Sequence, residues 1–468
     1  MLRKSLFATL VATLLLTAAC SSSSSKAGGA SSSAAGGASS SAAGGASSSA
    51  AASSPAAASS SAAVASSAPA SAASGGSVSL SYLTFDTPDL TPAFWQTSIA
   101  AAEKAVPGLT VKQDVAPSTD RDSYAKQLEA SGQFPDLLES ITPSQYTGAG
   151  LLTPYDESWI DANFILPQGN AIKGKVYIPP TNSQIIPLVF YNKSLFTKAG
   201  VQPPTTWSQF LAVCAKLKAA GITPLELGGG DPFAAGMPLT ATVSADVLGE
   251  DPQWIQQRYA GTVKFSDPDV VAAAQKVRTL VTDGYFENGA LGVKYADSIT
   301  AFNAGKAAMY PMGSWYLGSI PKDQWNNIGV FPWPTDDGSL VIPFSVGGSM
   351  AISSKTKNLA AATAFAESWS LNPSNLQALI QGDGAFPMLK GKTIADFNVT
   401  VSPTFTASYA YVTQTNKKVS SMAWATSDDA LPGDMNNNFY AAAQALFNTS
   451  DVKGTMAKLD QQWSTATQ

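Results

Sequence analysis

Apolar and polar positions alternate with a period of two over residues 78–85, VSLSYLTF, and this period predicts a first β-strand. Helical and extended patterns then follow one another along the chain. They predict a helix at 92–106, a strand at 110–115, a helix at 120–131 and a strand that begins at 136. Such alternation is typical of an α/β fold in which helices cover a mostly parallel sheet.

A strand, a short helix and the start of a longer helix fall within residues 187–207, PLVFYNKSLFTKAGVQPPTTW. The apolar run at its start is rich in residues that favour strands, so it predicts a buried strand. Gly200 ends the short helix, and Thr206 is placed to cap the next one. Apolar residues recur at helical spacing after this cap, and the pattern predicts that Cys214 is a small core residue.

The first 77 residues differ in composition from the rest of the chain. Residues 1–19 contain a basic pair, a short apolar run and small residues before Cys20, which is the pattern of an export signal peptide. Cys20 stands where the lipidated cysteine of a bacterial lipoprotein stands, and a plain secretory signal is the alternative. Residues 20–77 are almost entirely Ser, Ala and Gly, so they predict a disordered linker.

The sequence contains no histidine. This absence excludes Ser-His and Cys-His nucleophile systems, the usual zinc ligand sets and the commonest general base. The 28 basic and 33 acidic residues give a net charge of −5, which offers no basic footprint for nucleic acid. We therefore expect no cofactor, no bound metal and no nucleic-acid partner.

Ligands of open α/β sheets bind beyond the carboxyl ends of the strands. Residues that directly follow predicted strands are therefore candidate ligand contacts. They are Asp86 after the first strand, Glu139 and Ser140 after the third, and Asp231 and Phe233 after a strand at 221–227. A position at the start of a helix is the alternative for Asp231.

Five motifs occur in a fixed order from residue 134 onwards. They are FPDLLES at 134–140, GLLTP at 150–154, YNK with a later P-x-T-W at 191–207, FNAGKAAMYPMGSW at 302–315 and FSVGGSMAISS at 344–354. Together they resemble the carbohydrate-binding, maltose-binding-protein-like lipoproteins that serve ABC importers, and the resemblance covers residues 78–468.

This resemblance implies a two-lobed periplasmic-binding-protein fold, each lobe a mostly parallel sheet flanked by helices. Two or three strands near 184–187, 344–348 and 395–405 would form the hinge. The implied lobes are 78–184 with 346–395 and 185–345 with 396–468.

By the same resemblance, several residues face the cleft between the lobes. Trp315 would be a sugar-stacking ring at an exposed turn, with buried packing as the alternative. Asp231 would accept sugar hydroxyls and Phe233 would supply a ring. The other implied contacts are Gln184, Gly347, Gly348, Phe386, Trp424 and Phe439, and core packing is the alternative for Phe439.

The resemblance also implies a function. A monomer, lipid-anchored at the outer face of the cell membrane, would capture a sugar or oligosaccharide and present it to a transmembrane permease. Carboxylates and amides suit sugar hydroxyls, and aromatic rings suit the C–H faces of a sugar. The alternatives are a tethered glycoside hydrolase, which also uses two carboxylates, an adhesion or scaffold protein, and the same fold with a non-sugar solute.

Overall fold

The computed structural model describes residues 77–414 and 417–467, which belong to one compact unit. The predicted signal peptide, Cys20 and the linker up to residue 76 lie outside the described residues. The described strands are β1 Val78–Thr84, β2 Leu109–Val115, β3 Leu137–Glu139, β4 Leu152–Thr153, β5 Asn182–Ile185, β6 Leu188–Asn192, β7 Thr223–Leu225, β8 Ala307–Met312, β9 Ile328–Phe331, β10 Ile342–Gly347, β11 Met350–Ser353, β12 Phe386–Pro387 and β13 Lys418–Ser420.

Helices connect most of these strands. The described α-helices are α1 Pro92–Glu103, α2 Arg121–Ala130, α3 Ser144–Thr147, α4 Glu157–Asn163, α5 Lys193–Ala199, α6 Trp207–Ala219, α7 Pro232–Thr242, α8 Trp254–Tyr259, α9 Pro268–Thr282, α10 Tyr295–Asn303, α11 Leu359–Leu371, α12 Pro373–Gly382, α13 Pro403–Gln414, α14 Met435–Ala445 and α15 Val452–Ala466. Short 3-10 helices include Ser314–Ser319, and a π-helix, Val243–Leu248, continues α7. Within the described ranges, no helix is both long enough and apolar enough to cross a membrane.

The first sheet has the strand order β2-β1-β3-β11-β4. Its first three strands are parallel, as the alternation of strands and helices predicts, whereas β11 runs antiparallel to β3 and β4. The ring of Tyr82 on β1 packs 5.6 Å from that of Trp369 on α11, and Trp369 stacks on Trp95 of α1. Helices α1 and α11 therefore cover one face of this sheet.

The third sheet has the order β7-β8-β6-β9. Its strand β6 is the buried strand that the apolar run at 187–191 predicts, and it pairs antiparallel with β8 and β9. Strand β7 is parallel to β8. The first and third sheets are thus mixed, because β11 in the first sheet and β6 in the third run antiparallel to their neighbours.

The second sheet, β12-β5-β10-β13, joins the other two. Strand β5 leads into β6 of the third sheet through Ile186 and Pro187, and β10 leads into β11 of the first sheet through Gly348 and Ser349. The chain therefore has the predicted two-lobed α/β fold, with strands that run between the lobes. The numerical limits of the lobes stay a prediction, and residues 398–402, near the third predicted crossing, contain no strand.

Local signals in the sequence act as predicted. Thr206 caps α6 by accepting the backbone N–H of Gln209 at 3.3 Å, and Gly200 ends α5 with φ of +64°. Cys214 is fully buried, and burial raises the pKa of its thiol. This cysteine is therefore an inert core residue.

Candidate ligand-binding cleft

A cleft of about 300 Å³ is lined by residues of all three sheet regions. One side comes from segments that follow β1 and β3 of the first sheet and from the start of α2. The other side comes from the start of α7, the 3-10 helix Ser314–Ser319, residues 423–426 and α14. Strands β5 and β10 supply Asn182, Gln184, Ser345 and Gly347 between these sides.

Five aromatic rings form one wall of the cleft, which we name the aromatic wall. Trp315 and Trp424 have ring centroids 5.1 Å apart, and Phe233 lies 6.4 Å from Trp315 and 6.2 Å from Trp424. Tyr295 packs edge-on against Phe233 at 5.2 Å, and Tyr440 lies 6.0 Å from Trp424. Such a group of rings presents both flat faces and edges to a ligand.

The sequence predicts Trp315 at an exposed turn, but the ring is only 8% exposed. It folds back over Gly313, where an added Cβ would lie 2.2 Å from the ring. A glycine is therefore required at 313, and the ring is held against Trp424 before any ligand arrives.

Several carboxyl groups line the cleft, and we name three of them, Asp89, Glu139 and Asp383, the acidic group. Both oxygens of Glu139 accept hydrogen bonds, one from the hydroxyl of Tyr82 and the other from Ser140 at 2.9 Å. Burial raises the pKa of Glu139 to about 7, although these hydrogen bonds and Arg121 act in the opposite direction. Glu139 is therefore a carboxyl group whose charge is disfavoured by its surroundings.

Asp89 and Asp383 share this environment. The hydroxyls of Tyr295, at 2.9 Å, and Ser319 donate to Asp89, and burial still raises its pKa to about 6. Gln184 donates its side-chain N–H to Asp383 at 3.0 Å. Burial raises the pKa of Asp383 strongly, and the charges of Asp89 and Glu139 raise it further.

The two sides of the cleft touch each other at several points. Tyr295 and Ser319, from the side of the third sheet, both bind Asp89. Lys126 of α2 forms a salt bridge of 2.8 Å with Asp434, and Asn437 of α14 donates to Asp120 at 3.2 Å. These contacts hold the two sides near each other.

Four buried polar atoms of cleft-lining residues have no hydrogen-bond partner among the described residues. They are Gln145 Oε1, Ser349 Oγ, Trp424 Nε1 and Asn436 Oδ1. A buried polar group without a partner destabilises the folded chain by about 1–3 kcal/mol. A ligand with many hydroxyls could supply the missing partners.

Two glycines let the strand β10 and the chain after it approach the neighbouring backbone. At Gly348 an added Cβ would lie 2.1 Å from the carbonyl oxygen of Pro179, and at Gly347 it would lie 2.6 Å from Asn182 Oδ1. The backbone of Pro179 cannot move aside, so position 348 requires glycine, whereas at 347 the side chain of Asn182 would have to move. This supports close backbone approach at the predicted hinge.

Eight of the twelve predicted contact residues line the cleft. These are Glu139, Ser140, Gln184, Phe233, Trp315, Gly347, Gly348 and Trp424. Whether they touch a ligand stays a prediction.

The other four lie outside the cleft lining, each for a physical reason. Asp86 is exposed, and Asp231 accepts the backbone N–H of Tyr295 at 2.7 Å, next to Lys294 at 3.7 Å. Phe386 is fully buried against Phe405 and Tyr409. Phe439 is fully buried in the helical core around α14, which is the alternative that the sequence leaves open.

Sequence reasoning missed several lining residues. Asp89 lies three positions after Asp86, and Tyr440 lies one position after Phe439. Arg121 opens α2, and its Nε donates to the carbonyl of Ser140 at 2.6 Å. The available signal was position in the sequence, since Asp89 lies in the loop after a predicted strand, Arg121 lies at the start of a predicted helix and Tyr440 lies next to a predicted contact.

Removing the carboxyl group of Glu139 should flatten the pH dependence of stability. Because its folded pKa of about 7 exceeds the ordinary 4.5, the folded chain binds more protons between these values, and stability falls as pH rises through them. The free energy of unfolding should therefore decrease less with rising pH in Glu139→Gln than in the unmodified chain, by on the order of 1–3 kcal/mol. Urea unfolding across a pH series measures it.

The control for this experiment is Glu157→Gln, which removes an exposed carboxyl group at the start of α4. The change in the slope of stability against pH should be larger in Glu139→Gln than in this control. An unchanged slope in Glu139→Gln would contradict the assignment of this proton uptake to Glu139.

No group of three or more His, Cys, Asp or Glu side chains in the described residues could hold a metal ion. Two lobes joined by strands, with an aromatic wall and hydrogen-bonding groups around one cleft, define the class of two-lobed solute-binding proteins. The family described as bacterial extracellular solute-binding protein matches residues 87–375, more than half of the chain, and this chain belongs to it.

Individual relatives agree with this family. The chain is 27% identical over 227 residues to the Multiple sugar-binding protein of Streptococcus mutans. The aligned region covers 47% of this chain and 53% of that protein. It is 28% identical over 224 residues to an ABC transporter extracellular-binding protein of Pyrococcus horikoshii, 47% of each chain. The chain thus spans about half the length of the curated relatives it matches.

Solved structures with the same fold include a chitin oligosaccharide binding protein, with a TM-score of 0.74 and 25% identity. Another is SBP RafE in complex with raffinose, with a TM-score of 0.65 and 22% identity. In both cases the similarity covers 84% of this chain and 100% of the solved chain. The likeness to RafE supports the fold alone.

Proposed function

We propose that this protein captures a sugar or oligosaccharide outside the cytoplasm and delivers it to the permease of an ABC importer. The observation that carries the proposal is the composition of one cleft, where the aromatic wall and four unpartnered polar atoms meet. A saccharide has C–H faces that suit the rings and hydroxyls that suit the polar atoms.

The mechanism we propose is closure of the two sides of the cleft around the ligand. Residues from both sides line the cleft, so a ligand that touches both binds the closed form better and shifts the population towards it. Strands β5 and β10 connect the sheets, so bending near 186–187 and 348–349 would move one side against the other. The closed form is the state that a permease would recognise.

We further propose that the protein acts as a monomer that is held at the outer face of the cell membrane. The support comes from the sequence pattern at 1–19, from Cys20 and from the Ser, Ala and Gly composition up to residue 77. An acylated Cys20 would anchor the chain, and the linker would hold the folded part clear of the membrane.

A thermal-shift screen of the full chain over mono- and oligosaccharides tests the proposed function. A ligand that binds only the folded chain stabilises it by about 2.7 kcal/mol at a concentration 100-fold above its Kd. We therefore expect a clear rise in Tm with a small subset of saccharides. No shift with any saccharide, together with a shift by amino acids or peptides, would contradict the proposed cargo.

A glycoside hydrolase would also place carboxyl groups in a cleft, with one of them protonated near neutral pH. Glu139 has a raised pKa, but both its oxygens already accept hydrogen bonds from Tyr82 and Ser140. This arrangement favours a carboxyl group that accepts hydrogen bonds over one that donates a proton to a leaving group. We propose that the protein is not an enzyme, and steady release of reducing ends from a bound oligosaccharide would contradict this.

A further inference from the structure

The charged residues that line the cleft are strongly unbalanced. Six are acidic and one, Arg121, is basic; the acids are Asp89, Asp120, Asp122, Glu139, Asp383 and Asp434. Asp434 pairs with Lys126 just outside the lining. No salt bridge to the three members of the acidic group occurs within the described residues.

Arg121 carries the one positive charge of the cleft lining and lowers the pKa of Glu139 and Asp383, but no salt bridge joins it to the acidic group within the described residues. Its Nε donates to Ser140 at 2.6 Å and its Nη1 to Thr119 at 3.2 Å, both backbone carbonyls. The guanidinium also lies 4.2 Å from the ring of Phe85. The acidic group therefore has Arg121 as a partial counter-charge only, since these guanidinium donors are directed to backbone carbonyls and not to the carboxyl groups.

Two of the three carboxyl groups, Asp89 and Glu139, disfavour the charge of the third, Asp383. Burial raises the pKa of each, and the charges of Asp89 and Glu139 raise that of Asp383 further. A neutral sugar would leave this repulsion in place. A ligand that carries a positive charge would relieve it, because an opposite charge within a few ångströms favours the ionised form.

Two further observations point to a ligand at this place. Ser349 is 2% exposed, its hydroxyl has no partner within the described residues, and it lines the cleft where its carbonyl accepts the N–H of Ser140 at 2.5 Å. The aromatic wall is joined to the acidic group through the hydrogen bond from Tyr295 to Asp89. Aromatic faces attract cations, so both walls favour a ligand with a positive charge.

We propose that the cargo is an amino sugar, or an oligosaccharide that contains one, whose ammonium group is seated among Asp89, Glu139 and Asp383. This inference rests on the proposed function and narrows its substrate class. The carboxylates accept hydrogen bonds from the ammonium, Ser349 accepts or donates one more, and the rings cover the C–H faces of the sugar. No covalent step is involved.

Calorimetric titration of the full chain tests the proposal, with two oligosaccharides of equal length as probes. One is a glucosamine oligomer with free amines, and the other is its N-acetylated counterpart. Near pH 7 we expect the free-amine oligomer to bind at least about tenfold more tightly. In buffers of different ionisation enthalpy, its binding should release protons, because the ammonium lowers the pKa of the carboxyl groups.

Asp383→Asn keeps an acceptor for Gln184 and removes one carboxyl group. It should reduce the preference for the free-amine over the N-acetylated oligomer to below about threefold. Glu139→Gln is a second variant with the same expectation. The matched control is Asp231→Asn, which removes a carboxylate outside the cleft lining and should keep the full preference.

Equal or tighter binding of the N-acetylated oligomer would overturn the ammonium inference. An unchanged preference in both Asp383→Asn and Glu139→Gln would also overturn it. If the amine oligomers fail but a neutral saccharide binds, this inference fails and the proposed function stands. If no saccharide binds at all, both fail.

Discussion

Replacing Trp315 with alanine should weaken saccharide binding roughly tenfold. The ring lies in the aromatic wall, against Trp424 at 5.1 Å. Only 8% of the residue is exposed, so the ring and a sugar face together bury about 50 Å², and at ~25 cal/mol per Å² the lost contact amounts to ~1.3 kcal/mol. Calorimetric titration with the saccharide that gives the largest thermal shift measures the change in Kd.

Two further variants make this test specific. Because Trp315 is only 8% exposed, alanine also lowers the stability of the free protein, so each variant is compared with its own ligand-free state. Trp159→Ala is the matched control, since this ring stacks on Tyr155 at 5.6 Å and lies outside the cleft lining. Binding by Trp315→Ala within about threefold of the unmodified protein would show that the ring only packs in the core.

Replacing Phe439 with alanine should reduce the free energy of unfolding by about 3–5 kcal/mol. The side chain is fully buried in the core where α14 packs against α7 and α15, and its removal would leave a cavity there. Urea unfolding at equilibrium measures the loss. The saccharide that binds the unmodified chain should still bind the folded fraction.

Tyr440→Phe is the companion variant on the same helix. It removes the hydroxyl that donates to the carbonyl of Ala423 at 2.9 Å and keeps the ring in the aromatic wall. We expect a loss of about 0.5–1.5 kcal/mol in stability. A loss below about 1 kcal/mol in Phe439→Ala, combined with loss of binding, would place Phe439 rather than Tyr440 at the ligand.

Most elements of the fold were predictable because their signals are local. Capping by Thr206, the left-handed Gly200 and the two-residue period of β1 depend only on neighbouring positions. The two-lobed fold followed from the resemblance of whole motifs. Periodicity could not predict that β6 runs antiparallel to β8, or that β11 runs antiparallel to β3. The direction of each strand depends on the sheet from which the chain enters it.

The cleft lining was only partly predictable, because one residue of register decides which side chain faces it. On α14 the residues Met435, Phe439 and Ala443 are buried at helical spacing, whereas Asn436 and Tyr440 line the cleft. The resemblance therefore identified the correct helix, but it selected Phe439, on the buried face, instead of Tyr440, on the face that lines the cleft.

A similar limit applies to the carboxyl groups. The loop after β1 contains both Asp86 and Asp89, and only the contacts of Asp89 with Tyr295 and Ser319 turn that residue inward. Asp383 lies between α12 and β12, three positions before the predicted contact Phe386. Contacts between residues some 200 positions apart cannot be derived from local pattern.

The most direct test of the account is hydrogen exchange, followed by mass spectrometry, with and without the saccharide that gives the largest thermal shift. We predict slower exchange on both sides of the cleft at once, at 85–90 and 139–142 beside the first sheet and at 314–319 and 423–426 beside the third. Protection on one side only, or on neither, would contradict capture of a saccharide between two closing lobes.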